Sequence, residues 1–270
     1  MIDFYNQNIY WVPLINDCSI VVYKPLLCLV CIISIVFMAG CSSSGTNGPT
    51  KTGHFLRSYT QDEKEYFLDV AFGSEYLESS EVIRKWARPI KIGVDGSYND
   101  EDLATLKDVI NELNELSNSI NISLSLLNKS DVIIYFGPES NFCTYVPEDW
   151  ENFISEPLYE PYSHNPYIPN NGFVTCWDDT RGKFIRAIVL ISTTNITQAE
   201  RNHIIRELIA KMLGLMKNSN RYDNSIFYGR NSTTYSWDEY SDMDKAIISM
   251  LYDDRIKPGM TKDEALSALA

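Results

Sequence analysis

The residues best suited to chemistry lie on one predicted helix in the C-terminal third of the chain, from Arg201 to Met216. His203, Glu207 and Lys211 recur at intervals of four, so they follow one another along one face of an α-helix. Glu207 and His203 at this spacing could act as a general acid–base pair. Glu207 four residues before Lys211 is also the favourable order for an ion pair, worth about 0.2–0.5 kcal/mol when exposed. The sequence leaves both interpretations of Glu207 open.

Two predicted elements must position these side chains, a strand and the helix that follows it. The strand is the apolar run from Ala187 to Ile191 within Phe184–Ser192. The helix begins after a capping box, in which Thr197 and Glu200 satisfy each other's free backbone N–H groups. Its predicted buried face consists of Ile204, Ile205, Leu208, Ile209, Met212, Leu215 and Met216.

A strand followed by a helix is also where a zincin-type metalloprotease keeps its zinc helix, which reads His-Glu-x-x-His-x-x-Gly-x-x-His. With the glycine of that pattern set on Gly214, the three histidine positions fall on Glu207, Lys211 and Lys217. The position of the general base falls on Leu208. We therefore expect the scaffold of such an enzyme without its metal ligands or its base, and no cofactor.

The composition restricts the classes of protein further. The three histidines, His54, His164 and His203, make a metal site built from histidine improbable, because catalytic zinc normally has three protein ligands. The net charge is −13 and no Lys/Arg-rich run accompanies it, which argues against nucleic acid as a partner. Hydrophobic residues make up 44% of the chain, enough to build a core, so the chain is not a disordered protein.

The N-terminal region predicts a lipid anchor. An almost unbroken apolar stretch from Leu26 to Ala39 is too short to span a bilayer but suits a signal-peptide core. Met38-Ala39-Gly40-Cys41 follows and resembles the bacterial lipobox, whose cysteine is acylated and becomes the new N-terminus. A buried core helix is the alternative, but the exit into Ser42-Ser43-Ser44 argues against it.

This interpretation divides the chain into three parts. We expect residues 1–40 to be the lipoprotein signal peptide, 41–59 a flexible tether that begins at the lipidated Cys41, and 60–270 a single domain. The protein would be anchored in the cell envelope. Ser42 after the lipidated cysteine is compatible with the outer membrane, facing the periplasm.

The pattern within residues 60–270 predicts an α+β domain. A second capping box at Thr60–Glu63 opens a helix. Strands are predicted at Ile90–Val94, Ile120–Leu126 and Val132–Phe136, in addition to Phe184–Ser192, and an amphipathic helix at about Asp100–Ser117. Ser241–Asp244 can cap a helix through about Tyr252, and Thr261–Glu264 is expected to cap a last short helix. The expected fold is a zincin-like mixed sheet of about four strands, packed on the amphipathic and central helices.

The stretch from Gly137 to Gly182 carries many prolines and predicts a long irregular segment. Cys143 and Cys176 bracket most of it, and outside the inner membrane they are expected to form a disulfide worth about 3–4 kcal/mol. Two unpaired buried cysteines are the alternative. The tyrosine-rich loop 156–170 within this stretch could bind an envelope protein or glycan, or its rings could pack on the sheet.

Several motifs together resemble the bacterial family known as domain of unknown function 2927, over about Val82 to the C-terminus. They are Ile83-Arg-Lys-Trp86 ahead of Pro89-Ile90, Glu207 ahead of Leu213-Gly214-Leu215, Asp223-Asn-Ser-Ile-Phe227, and Met250-Leu-Tyr-Asp253-Asp-Arg-Ile-Lys-Pro-Gly-Met260-Thr. The family usually has Gln at the position of Lys211, and often an acidic residue at that of Leu208. The resemblance implies an envelope protein with a zincin-like fold and no established activity.

Two classes of function follow from these observations. The first is a non-catalytic, lipid-anchored protein that binds or supports an envelope component. The second is an envelope hydrolase that uses Glu207 with His203 or His164 and lacks a standard zinc site. Because Lys is a poor metal ligand and Leu208 cannot act as a base, the first class is favoured.

Overall fold

The structure is a computed structural model that describes residues 57–73, 81–117, 119–142, 144–148, 150, 171–229 and 239–270. These residues belong to one compact unit, Phe55–Ala270. Its helices and strands, in chain order, are α1 (Gln61–Ala71), β1 (Ile90–Gly96), α2 (Asp100–Leu116), β2 (Ile122–Leu124), β3 (Val132–Gly137), β4 (Gly172–Asp178), β5 (Phe184–Ser192), α3 (Gln198–Met212), α4 (Asp242–Leu251) and α5 (Lys262–Ala268).

The five strands form one mixed sheet in the order β2-β1-β3-β5-β4. β2, β1, β3 and β5 are parallel, with Ile92 paired to Leu124 on one side and to Val132 on the other. β4 runs antiparallel to β5 and forms the opposite edge. The expected α+β class with a mixed sheet is confirmed, and the sheet has one strand more than expected.

The two faces of the sheet are covered differently. On one face, apolar side chains of β1, β3 and β5 pack with the helices in the larger core, which includes Ile92, Ile134 and Val189. On the other face, a smaller cluster combines sheet residues with the segment that follows β3: Ile133, Phe142, Trp150, Ile188 and Leu190. β3 and residues 187–191 of β5 are largely apolar on both faces, as expected for strands whose two faces are both covered.

Three boundaries differ from the sequence-based expectation. β4 lies inside the stretch predicted to be irregular, where the surrounding prolines and glycines conceal the short alternating run Phe173–Trp177. The strand predicted over 120–126 is ordered as a strand only from Ile122 to Leu124. The central helix stops at Met212 rather than Met216, because Gly214 has a φ of +123° that a helix cannot contain.

The four predicted helix caps are present at the starts of α1, α3, α4 and α5, and each is a capping box with both reciprocal hydrogen bonds. Cys41, Cys143, His54, His164, the tyrosine-rich loop 156–170 and most of the predicted tether lie outside the described residues. Within the described part of the chain, none of the helices combines the length and apolar character needed to cross a membrane.

Candidate functional site

The helix that carries the candidate residues, α3, is held between α2 and the edge of the sheet formed by β5 and β4. Its apolar face is buried as the periodicity predicts, including Ile205, Ile209 and Met212. β4 passes close to this helix at Gly172, where an added Cβ would lie 2.7 Å from Ile204 and Leu208. Glycine at this position therefore allows the edge strand and the helix to approach each other.

The structure brings three predicted site residues together on α3. The Lys211 ammonium lies 2.8 Å from Glu207 Oε1, and His203 Nε2 lies 3.8 Å from Glu207 Oε2. The Lys211 side chain is only 4% exposed and that of Glu207 17%. The predicted ion pair is therefore present, but in a largely buried setting where each charge depends on the other.

This set of side chains does not fit a zinc ion. The ammonium of Lys211 cannot act as a ligand while it is protonated and paired with Glu207. Leu208, at the position of the general base, is apolar and buried. Lys217, at the third ligand position, has a different partner, because its Nζ lies 2.6 Å from Asp69 Oδ1 on α1. The described residues contain no group of three or more His, Cys, Asp or Glu side chains arranged to hold a metal.

The C-terminal end of α3 is held by hydrogen bonds from side chains outside the helix. Trp86 Nε1 donates to the carbonyl oxygen of Met212 at 2.9 Å. The Tyr252 hydroxyl donates to the carbonyl oxygen of Leu213 at 2.8 Å. At Gly214, which follows directly, an added Cβ would lie only 2.1 Å from the Arg84 carbonyl oxygen. We call Lys85, Trp86, Tyr252 and Gly214 the α3 clamp.

Lys85 joins this clamp to α4. Its ammonium donates to the carbonyl oxygens of Leu251 at 2.6 Å and Ile256 at 2.9 Å, and it lies 4.8 Å from the centre of the Tyr252 ring. A cation at a helix C-terminus interacts favourably with the helix dipole. Burial, assisted by the nearby Lys257 charge, lowers the pKa of Lys85 from 10.5 to about 8.

A second buried polar group fixes the start of α4. The Asp244 carboxylate accepts hydrogen bonds from the backbone N–H groups of Ser241 and Ile226, at 2.9 and 3.0 Å, and from the Ser225 hydroxyl. Burial raises the pKa of Asp244, and these hydrogen bonds oppose the rise. The motif at 223–227 therefore has a structural role, because it attaches its loop to the N-terminus of α4.

Cys176 lies on β4, on the face of the sheet that α3 covers, with its Sγ 3.9 Å from the Met212 carbonyl oxygen. Among the described residues Cys176 has no disulfide partner, and burial raises the pKa of its thiol. Because Cys143 lies outside the described residues, the disulfide between the two stays a prediction.

The clamp is the feature that the chemical interpretation of the sequence missed. Lys85, Trp86 and Tyr252 attracted notice only as parts of motifs that resemble a family. Lys85 itself gave little signal, because it stands beside Arg84 in a segment with several charged residues. The available signal was the pair of aromatic residues with polar handles, which find hydrogen-bond partners when they are buried.

Comparisons with other proteins give a family and distant similarities to solved structures. The family model described as "Protein of unknown function (DUF2927)" matches residues 60–270. The chain belongs to this family, and the expected membership is confirmed. No curated protein matches the chain. Among solved structures, "Structure of myroilysin" is similar over 62% of this chain and 95% of that chain, with 10% sequence identity and a TM-score of 0.35.

Proposed function

We propose that this chain is a lipid-anchored protein of the bacterial cell envelope whose domain binds or supports an envelope component and performs no catalysis. Its central helix α3 follows a strand, as the zinc helix of a zincin does, but in this proposal the helix only supports the fold. The partner would be an envelope protein or a glycan, and the tyrosine-rich loop 156–170 is the proposed contact. The net charge of −13 argues against nucleic acid.

One observation carries this proposal, the buried ion pair between Glu207 and Lys211. In the register of a zinc helix these two residues occupy the positions of the first two ligands. The short Lys211–Glu207 contact satisfies both charges without a metal. Removing one partner of such a pair leaves the other charge buried and uncompensated, which costs stability, so a structural role explains why each residue requires the other.

The test is the metal content of the purified full-length chain, measured together with peptide hydrolysis. We expect a metal-to-protein ratio well below one and no hydrolysis that depends on the protein. The control is the Glu207→Gln variant, purified identically, which should give the same values as the wild type. A stoichiometric metal whose removal by a chelator abolishes a peptidase activity would overturn the proposal.

A second candidate function is an envelope hydrolase, and the distance of 3.8 Å between His203 and Glu207 favours it. Such a pair could transfer a proton, although the distance exceeds that of a normal hydrogen bond. The two candidates differ in what Glu207→Gln does. The hydrolase predicts loss of an activity at an unchanged melting temperature, whereas the scaffold predicts a lower melting temperature.

The proposed anchor rests on the apolar segment 26–39 and on Ala39-Gly40-Cys41. A cysteine that carries two or three acyl chains would hold the chain stably on a membrane. Cys41→Ser should release or mislocalise the protein, and Ser42→Ala is the matched control that leaves the acylated cysteine in place. Membrane association of Cys41→Ser at the wild-type level after a high-salt wash would contradict the assignment.

A further inference from the structure

Three leucines that are close in sequence lie exposed at the surface, one at the end of β2 and two directly after it. Leu124 is 39% exposed, Leu126 66% and Leu127 41%. They are three of the six large apolar residues that are exposed in the described part of the chain. Single exposed apolar side chains need no explanation, whereas a contiguous group of them marks an interaction site. We call residues 124–127 the leucine segment.

The backbone of the leucine segment is fixed by hydrogen bonds. The Ser125 N–H donates to the Ile92 carbonyl oxygen on β1 at 2.8 Å. The Leu126 carbonyl oxygen accepts from the Lys129 N–H at 2.9 Å and from the Ser130 hydroxyl at 2.7 Å. The leucines are therefore presented at the surface by an ordered backbone.

The surroundings of the leucine segment are uncharged or basic. Residues 116–128 contain no charged side chain, although the chain as a whole has a net charge of −13. Lys91, whose neighbour in the sheet is Ser123, and Lys129 are both exposed. Asp131, the acidic residue nearest in sequence, is paired with Arg88 at 2.8 Å. An apolar group flanked by lysines suits a bilayer with anionic headgroups, and charges more than about 10 Å away are largely screened in 0.1 M salt.

The leucine segment also lies near the point where the described chain begins. Arg255, just after α4, donates from Nη2 to the Arg57 carbonyl oxygen at 2.9 Å. The Ser119 hydroxyl donates to the carbonyl oxygen of Tyr252, at the same end of α4. Leu124 is five residues beyond Ser119, which is at most about 17 Å of extended chain. The end of the proposed tether and the leucine segment therefore lie at the same end of α4.

We propose that the leucine segment docks on the surface of the phospholipid bilayer that holds the lipid anchor. Leu126 and Leu127 would enter the boundary between headgroups and acyl chains, and Lys91 and Lys129 would lie beside the headgroup phosphates. This inference rests on the lipid anchor proposed at Cys41.

The anchor explains why so small an apolar surface is sufficient. Arg57 is 16 residues beyond Cys41, which is at most about 55 Å of extended chain. Docking of the anchored domain is therefore intramolecular, and a high effective concentration makes a weak affinity sufficient. The docked domain would have a fixed orientation toward the membrane.

The experiment places a polarity-sensitive fluorophore on the lipidated full-length chain through Leu126→Cys. The chain is reconstituted in vesicles of phosphatidylethanolamine and phosphatidylglycerol that contain nitroxide-labelled lipids. We expect the emission to shift to shorter wavelength and to be quenched about fivefold more than that of the control Val146→Cys. Val146 is 41% exposed and lies outside the leucine segment, which makes it a matched position. The chain without an added cysteine gives the background from its native cysteines.

The outcomes separate this proposal from that of the anchor. A chain that floats with the vesicles, but whose Leu126 label is quenched no more than the Val146 label, would overturn docking and leave the anchor in place. A chain without lipid would refute the anchor, and the same labelled chains mixed with vesicles at millimolar lipid then decide docking by the same quenching. Shielding of the Leu126 label in solution without vesicles would show that protein covers the segment, and would also overturn the proposal.

A second measurement uses the unlipidated Cys41→Ser chain and its partition coefficient on the same vesicles. Leu126→Ser combined with Leu127→Ser should lower this coefficient at least about tenfold, because two apolar side chains no longer enter the bilayer. Val146→Ser should leave it unchanged. Lys129→Ala should lower it about fivefold on these vesicles but not on pure phosphatidylcholine. Equal partition coefficients for all of these chains would contradict docking through the leucine segment.

Discussion

The middle and the end of α3 are built in different ways. In the middle, Glu207 and Lys211 form an ion pair within the helix itself. At the end, Trp86 and Tyr252 reach across from other parts of the chain and bond to main-chain carbonyl oxygens, and Gly214 allows the following backbone to approach Arg84. The end of the helix is therefore fixed by long-range contacts, and the middle by a local one.

This difference shows where the family motifs act. The motif at 83–86 and the block at 250–260 both lie at the end of α3, where Lys85 joins them through the carbonyl oxygens of Leu251 and Ile256. Their residues position backbone and make no set of metal ligands. The motifs by which the chain resembles the family thus include the residues that hold the end of α3.

The largest expected effect is at Gly214. Gly214→Ala would place a Cβ 2.1 Å from the Arg84 carbonyl oxygen at a φ of +123°, so we expect a loss of about 4 kcal/mol or failure to fold. Gly259→Ala is the matched control, since its φ is also positive but its added Cβ would lie 3.0 Å from the nearest atom. Denaturant unfolding of both variants measures the difference. Equal losses would show that the end of α3 is not specially constrained.

A smaller loss is expected from Lys85→Met, which leaves the Leu251 and Ile256 carbonyl oxygens without their donor. We expect the unfolding free energy to fall by about 3 kcal/mol, because two buried acceptors lose a charged partner. Lys107→Met, at an exposed position of α2, should change the unfolding free energy by less than about 0.5 kcal/mol. If Lys85→Met lowered the unfolding free energy as little as Lys107→Met, Lys85 would not contribute to holding the end of α3.

The titration of Lys85 gives a pH-dependent test of the same contact. Its pKa is about 8 in the folded chain and 10.5 ordinarily, so between these values the unfolded chain binds more protons. The pH-dependent part of the contribution of Lys85 to the unfolding free energy therefore rises between pH 8 and 10.5, and it is lost as the pH falls through 8. Between pH 8 and 10, the unfolding free energy of the wild type should rise by up to about 2 kcal/mol relative to that of Lys85→Met. A constant difference would contradict the lowered pKa.

The smallest of these effects is expected from Tyr252→Phe, which removes one hydroxyl and keeps the ring. The Leu213 carbonyl oxygen then loses its donor, at a cost of about 1–2 kcal/mol. Tyr98→Phe, at an exposed tyrosine, is the control and should be nearly neutral. If thermal unfolding places both variants at the wild-type midpoint, the bond from Tyr252 contributes nothing to holding α3.

Elements with a strong local signal could be predicted from the sequence. The capping boxes and the 3.6-residue period of α2 depend on residues close together in the chain, and the strand Phe184–Ser192 is observed with the predicted bounds. β4 escaped prediction because it is an edge strand that starts at Gly172 within a proline-rich stretch, and its pairing with β5 rather than its own sequence defines it.

The candidate site was likewise predictable only where its residues lie close together in the sequence. The spacing of Glu207 and Lys211 indicated their ion pair, but not its burial, which depends on the packing of α3 against other elements. The clamp joins Lys85 and Trp86 to residues about 126 to 171 positions later. Contacts over such distances leave no periodic pattern in a sequence.

The most direct test of the scaffold interpretation is a double-mutant cycle of the unfolding free energy for Glu207→Gln, Lys211→Met and their combination. Because the pair is largely buried, we expect each single variant to lose about 2 kcal/mol or more, the double variant to lose less than the sum, and a coupling of about 2 kcal/mol. A coupling below about 0.5 kcal/mol, with Glu207→Gln as stable as the wild type, would contradict the scaffold. The carboxylate would then be held in place for a purpose other than the stability of the fold.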